Sequence, residues 1–201
     1  MAASIIPAQH LLEGYIQGIF PMSESREDED VQWYTAKLRG IIPLEGFRVS
    51  SKVKRLSRQA RFSTAINRDF KGVMEACAHR ENTWISQIII DSFVNLHELG
   101  FAHSVEVYEE DKLAGGLYGV AIGGAFFAES MFQSVKEASK IALYHCQRHL
   151  VNQGYELWDV QFYTDHLAQF GSIQITDKEY KVRLRKALQQ KAVFDEQQLQ
   201  R

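Results

Sequence analysis

The chain has 201 residues, about 1.3 times a usual domain length of ~150, so it holds one domain, or one with a small companion. Its 45% hydrophobic and 24% charged residues exclude wholesale disorder and collagen-like repeats. A net charge of −2 gives no bulk attraction to nucleic acid, and two cysteines, Cys77 and Cys146, are too few for a disulfide scaffold.

All three prolines (Pro7, Pro21 and Pro43) lie in the first 43 residues. That break in composition predicts a small N-terminal unit, joined near Lys37–Phe47 to one continuous C-terminal domain. Beside it, Ser23–Asp30 reads SESREDED, with five acids and one base. Arg48–Arg61 reads RVSSKVKRLSRQAR, with six bases and no acid, so the local fields differ far more than the total charge suggests. In this basic stretch Ser50 or Ser51 can cap a helix with Val53, Leu56 and Ala60 on one face and Lys54, Arg58 and Arg61 on another. Further helices are expected over Arg68–Ala78 and Ser86–Leu99, the latter stopping at Gly100.

SVEVY, the polar EEDK turn, Leu113–Ile122, the Gly123-Gly124 turn and Ala125–Met131 read as a three-stranded antiparallel meander. A helix over Ala138–Val151 closes near Gly154, and YELWDVQFY (Tyr155–Tyr163) is strand-like. A short helix ending at Gly171, a strand at Ile173–Ile175 and a basic helix from Asp177 complete the chain. Helices flanking a largely antiparallel sheet make a mixed α/β (α+β) fold. The uncharged stretch Leu113–Ala128 is shorter than the ~20 residues of a spanning helix. The opening MAASIIPAQHLLEGY lacks a signal-peptide pattern. A soluble, reduced, cytoplasmic protein is the expectation.

Three segments invite a chemical reading. The glycines of Gly115–Gly124 lack dinucleotide or P-loop spacing and fit turns and close sheet packing. His145 and His149 in HCQRH could share a metal, but no CxxC or HExxH pattern supplies further ligands, so no metal is expected. FFAESMF (Phe126–Phe132) and WDVQF (Trp158–Phe162) each set polar groups in an apolar run. Asp159 and Gln161, two apart, share a strand face. Buried carboxylates are costly unless partnered, which makes Glu129 and Asp159 functional candidates beside the plain account of solvent-facing strand residues.

With GYIQGIFPM (Gly14–Met22), RGIIPL (Arg39–Leu44), TWI (Thr83–Ile85), LHELGFAHSVEVY (Leu96–Tyr108), LAGGLYGV (Leu113–Val120), ESMF (Glu129–Phe132), ASKIAL (Ala138–Leu143) and WDVQ (Trp158–Gln161), the chain resembles the leucyl/phenylalanyl-tRNA–protein transferase family. The resemblance implies a small N-terminal domain (1–40) and a C-terminal domain (41–201) of the acyl-CoA N-acyltransferase (GNAT) type. It implies transfer of leucine or phenylalanine from Leu-tRNA or Phe-tRNA to proteins with N-terminal arginine or lysine, marking them for degradation. The enzyme would act as a cytoplasmic monomer without cofactor, metal or membrane. Asp159 and Gln161 would form the catalytic pair, Asp159 polarising the Gln161 amide, with Glu129 helping to place the acceptor. Leu117, Phe126, Met131, Leu143 and Trp158 would form the aminoacyl side-chain pocket. Tyr15, Met22 and Trp84 would enclose the terminal adenosine, and Lys52, Lys54, Arg55 and Arg58 would hold acceptor-stem phosphates. The chain departs from the family pattern at Met22, Ala128, Gln133, Cys146 and Val160. Competing readings are an acetyl-CoA-dependent N-acetyltransferase, disfavoured because QSVKEASK before the long helix has no glycine, and a non-catalytic tRNA-binding protein.

Overall fold

The computed structural model describes residues 5–28 and 30–194; residues 1–4, Glu29 and 195–201, which include parts of the leader reading, the acidic run and both domain spans, lie outside the described residues. Helix α1 (Ala8–Gln17) turns at Gly18 into a hairpin of β1 (Phe20–Ser23) and β2 (Val31–Tyr34), which form their own two-stranded sheet. The chain continues through β3 (Leu38–Ile41), α2 (Ser51–Leu56), β4 (Phe62–Ile66), α3 (Phe70–Ala78), α4 (Gln87–Glu98) and β5 (Ala102–Glu109). After β6 (Lys112–Ile122) and β7 (Ala125–Gln133) come α5 (Ala138–Asn152), β8 (Leu157–Gln161), α6 (Asp165–Ala168), β9 (Ile173–Thr176) and α7 (Asp177–Leu188).

Seven strands make one mixed sheet in the order β4-β5-β6-β7-β8-β3-β9, which bears out the mixed α/β class. The expected meander is β5-β6-β7, and its polar turn holds Glu110 and Asp111 at positive φ, as a tight hairpin turn requires. Alternation sorts the strands onto two cores. One face packs Val120 and Phe127 with Leu11, Tyr15, Phe93 and Leu184 from α1, α4 and α7. The other packs Leu117, Phe126 and Trp158 with Val53 from α2 and Ile141, Leu143 and Leu150 from α5. The basic helix is shorter than its sequence pattern suggests. Ser50 does cap it, accepting from the Val53 N–H, but α2 ends at Leu56, and Ala60 is exposed in the turn beyond instead of sharing a buried face.

One pairing places the site. Strands β7 and β8 run parallel, joined through α5, and are in register only over Ala125–Phe127 and Leu157–Asp159. Beyond this they part, while β8 gains β3 on its other side, with Gly40 opposite Gln161. A side chain at position 40 would put its Cβ 2.7 Å from the Phe162 carbonyl carbon, so only glycine lets the strands approach there. Gly40→Ala is therefore expected to lower stability by about 1–3 kcal/mol through overpacking, measured as a fall in the urea midpoint. A wild-type midpoint would contradict the close approach.

Candidate active site

Two irregularities at the splayed strand ends aim the polar groups. Between Tyr118↔Ser130 and Gly119↔Ala128 the register shifts, leaving Glu129 as the extra residue of a β-bulge on β7. Gly119 makes room, since a Cβ there would sit 2.3 Å from the Phe127 carbonyl oxygen. On β8, Gln161 has φ +56°, and the Phe162 N–H returns to the Val160 carbonyl at 2.6 Å, closing a γ-turn around it. The Gln161 Nε2 donates to Glu129 Oε1 at 2.9 Å. The bulge and the turn thus bring together two side chains that an unbroken strand pair would hold apart.

Asp159 is wholly buried and fully engaged. Arg39 donates to it from Nε (2.9 Å to Oδ1 and 3.1 Å to Oδ2) and from Nη2 (2.7 Å to Oδ2). The Tyr180 hydroxyl donates to Oδ2 at 2.6 Å, and the Gln161 backbone N–H donates to Oδ1 at 2.8 Å. The expectation that Asp159 polarises the Gln161 side-chain amide is corrected here. Its carboxylate meets the backbone of Gln161, and the side-chain amide turns to Glu129. Arg39 is itself buried, donates from Nη1 to the Gly18 carbonyl, and lies against the Phe20 and Tyr180 rings, 4.8 and 4.5 Å from their centroids. Burial alone would lower its pKa, but the Asp159 carboxylate more than compensates and holds it above the ordinary value.

Glu129 is the group poised to titrate. Loss of water is the first cause, and it pushes the carboxyl up to about 8; the Tyr15 hydroxyl pulls it down, the Asp159 charge pushes it up and Arg39 partly offsets that. Part of the Glu129 side chain still faces a cavity of about 490 Å³, a size suited to a small ligand group. Leu117, Met131 and Leu143 line this cavity together with Glu129, Gln161 and Trp84. Phe126 and Trp158 do not line it. Both are packed inside the core behind it, Phe126 against Phe194 and Trp158 against Phe47. Of the positions that depart from the family pattern, Ala128, Gln133 and Val160 all line the cavity, whereas Cys146 is buried in the α5 core.

Tyr15 is also displaced from its expected place. It is wholly buried between Phe93 and Phe127, with its hydroxyl towards Glu129, and so has no face to offer an adenine. Met22 and Trp84 do line a second cavity of about 570 Å³, and Trp84 belongs to both. The four basic residues lie on or just after α2. Lys52 pairs with Glu137 at 2.8 Å, while Lys54, Arg55 and Arg58 are exposed. Among the described residues no three His, Cys, Asp or Glu side chains are grouped to hold a metal ion. Cys77 and Cys146 are buried, and burial pushes both thiols up, Cys77 to about 12, so neither is an activated nucleophile.

Sequence reasoning named neither Arg39 nor Tyr180 for the site. Arg39 carried a signal, a lone cation within the apolar run Leu38–Ile42. Tyr180 carried none, because with Leu184 and Ala187 it reads as the apolar stripe of α7.

The cavity has an apolar wall and ends at a carboxyl that burial pushes up to about 8 and at an amide bonded to it, the makeup of a small-ligand site. The family profile described as "Leucyl/phenylalanyl-tRNA protein transferase" matches residues 41–185, and that of its N-terminal domain matches residues 6–37. A leucyl/phenylalanyl-tRNA–protein transferase from Rhodopseudomonas palustris (strain HaA2) is 49% identical over 198 residues, covering 96% of this chain and 88% of the relative. Another from Ruegeria sp. (strain TM1040) is 49% identical over 189 residues, covering 94% and 90%. Among solved structures, a GCN5-related N-acetyltransferase-like protein from Streptococcus suis aligns over 90% of this chain and 61% of its own, at 11% identity and a TM-score of 0.31. The chain belongs to the leucyl/phenylalanyl-tRNA–protein transferase family, and it is an aminoacyltransferase.

Glu129 also ties folding to pH. In the folded protein the carboxyl keeps its proton up to about 8, whereas an unfolded glutamate loses it near ~4.3. Between these values the native state binds more protons than the unfolded chain, so this group makes stability fall as pH rises. Glu129→Gln, neutral throughout, is expected to flatten that decline over about pH 5 to 8 in urea unfolding. An unchanged slope would mean that the carboxyl is an ordinary one.

Proposed function

We propose that the protein moves leucine or phenylalanine from Leu-tRNA or Phe-tRNA to the N-terminal arginine or lysine of acceptor proteins, creating an N-terminal degradation signal. The observation that carries this reading is the Leu117–Met131–Leu143 wall set against Glu129 and Gln161 in one cavity. The apolar wall receives the leucyl or phenylalanyl side chain, and the ester carbonyl then lies towards the polar end. The ester to tRNA is already activated, so the protein has to position the amine and manage its proton.

Glu129 suits that task. An α-amine has a pKa near ~7.7–8.0, close to that of Glu129, so the carboxylate form can take the ammonium proton at little cost. The free amine attacks the ester carbonyl carbon, the carbon–nitrogen bond forms, and the bond to the ribose oxygen breaks as that oxygen regains a proton. With Nε2 bonded to Glu129, the Oε1 of Gln161 remains as the acceptor for an amine N–H. Trp84 and Met22 border the terminal adenosine at the second cavity, and Lys52, Lys54, Arg55 and Arg58 attract the acceptor-stem phosphates. The proposal includes a small N-terminal domain over 1–40, an N-acyltransferase-like domain over 41–201, and a cytoplasmic monomer as the acting form. The separate β1–β2 sheet supports an N-terminal unit, while β3 (Leu38–Ile41), which straddles that boundary, already belongs to the large sheet.

An acetyl-CoA-dependent reading fits less well. Such an enzyme needs the N-terminus of the helix after β7 open for a pyrophosphate. Here Glu137 occupies that position, and Lys52 first, then Lys140, hold its carboxyl below the ordinary range, so it is an anion. That residue has a side chain at left-handed φ and is tied to both lysines, where a pyrophosphate cradle calls for glycines with free backbone N–H groups.

Incubation with charged Leu-tRNA or Phe-tRNA and an arginine-initiated peptide is expected to yield the extended peptide, whereas acetyl-CoA gives no product. Leu117→Trp should cut transfer by about 10-fold or more by filling the cavity. Lys54→Glu with Arg58→Glu should weaken tRNA binding, as added salt does to the native protein. Transfer of aspartate at a comparable rate would contradict the apolar pocket, and salt-insensitive binding would contradict the basic cluster.

A further inference from the structure

The positive φ of Gln161 is uncommon for a residue with a side chain, and such conformations persist only where the surroundings over-determine them. Three features do so here. Gly40 leaves space for the turn, the Phe162 N–H closes it on Val160, and Asp159 Oδ1 accepts the Gln161 N–H in an Asx turn. The last of these depends on the orientation of Asp159, which sits at the centre of a buried network. The Arg39 guanidinium grips both carboxylate oxygens, and the Tyr180 hydroxyl grips Oδ2. The four donor groups (Arg39 Nε, Arg39 Nη2, Tyr180 Oη and the Gln161 N–H) surround a wholly buried carboxylate. It does not line the cavity, so it offers no face to a substrate amine.

We infer that Arg39 and Tyr180 are positioning residues of the transfer reaction. They lock Asp159 as a backbone clamp that keeps Gln161 in the turn from which its amide reaches Glu129. This rests on the reading of Gln161 and Glu129 given under Proposed function. Arg39 reaches the clamp from β3, Tyr180 from α7, and Arg39 Nη1 is tied in turn to the end of α1 through Gly18. The orientation of one amide therefore depends on three elements outside the reaction cavity. A fork of guanidinium donors is needed, because a lysine ammonium cannot grip two oxygens in a fixed plane.

The test uses the full chain carrying Tyr180→Phe or Arg39→Lys, each alone and combined with Gln161→Ala. Steady-state transfer from Phe-tRNA to an arginine-initiated peptide is measured, along with the backbone amide resonance of Gln161 in a ¹H–¹⁵N spectrum. Tyr180→Phe is expected to lower kcat by about 10-fold and Arg39→Lys by about 10²-fold, the scale of a misplaced reacting group, with KM for Phe-tRNA within about twofold. In the Gln161→Ala background neither is expected to lower kcat further, because both act through Gln161. The Gln161 resonance should move in both single variants. Full additivity with Gln161→Ala, or a lowered kcat with an unmoved Gln161 resonance, would overturn the clamp. Should Arg39→Lys fail to fold, Tyr180→Phe, which removes one oxygen, decides the matter. Wild-type turnover in Gln161→Ala would refute the role of Gln161 in the reaction, and an unmoved resonance in Tyr180→Phe would refute the clamp independently.

Discussion

The buried ion pair between Arg39 and Asp159 is the interaction around which the protein is arranged. It joins β3 to β8, and through Gly18 and Tyr180 it draws in α1 and α7. Such a pair contributes little net stability, because desolvating both charges offsets most of their attraction. Breaking it is another matter. Loss of one partner strands a charge in the core, at about 3–5 kcal/mol, so Asp159→Ala is expected to perturb folding. The pair also makes the expected polarisation of the Gln161 side chain by Asp159 unworkable, since the carboxylate is taken up by Arg39, Tyr180 and the Gln161 backbone N–H.

With that centre fixed, the site follows from how a mixed sheet fails to stay in register. Strands β7 and β8 pair for three residues each and then separate. The bulge at Glu129 and the turn at Gln161 occupy the widening gap, each with a glycine opposite it, Gly119 and Gly40, that admits the irregular backbone. Leu117 and Leu143 complete the gap from the α5 side as an apolar wall. A buried carboxyl and an apolar wall thus lie side by side where two departures from regular pairing meet.

The regular parts of this fold were legible in the residues. Periodicity marks α4 and α5, and the EEDK turn marks the β5–β6 hairpin. The short strands β1 to β4 were not legible, because four or five residues of mixed character carry no distinctive period. At the site, Glu129, Asp159 and Gln161 stood out as polar residues in apolar runs. Their partners did not. Strand alternation assumes unbroken strands, and here a bulge and a left-handed residue break both, so the amide of Gln161 meets Glu129 instead of Asp159. The family resemblance suggested Tyr15, Phe126 and Trp158 as ligand contacts, but large aromatic side chains at core-facing positions fill the interior first. Arg39 required knowing that β3 lies beside β8, a contact across 120 residues that no local pattern encodes.

The electrostatic state of Glu129 is where fold and chemistry meet. Burial in the strand gap, followed by the nearby Asp159 charge, raises its carboxyl towards the range of the amine it would serve. A ¹³C NMR titration of the Glu129 side-chain carboxyl in the intact protein measures this directly. The account predicts a midpoint of about 8. A midpoint near the ordinary ~4.3 of a glutamate would show a solvated carboxylate and contradict it.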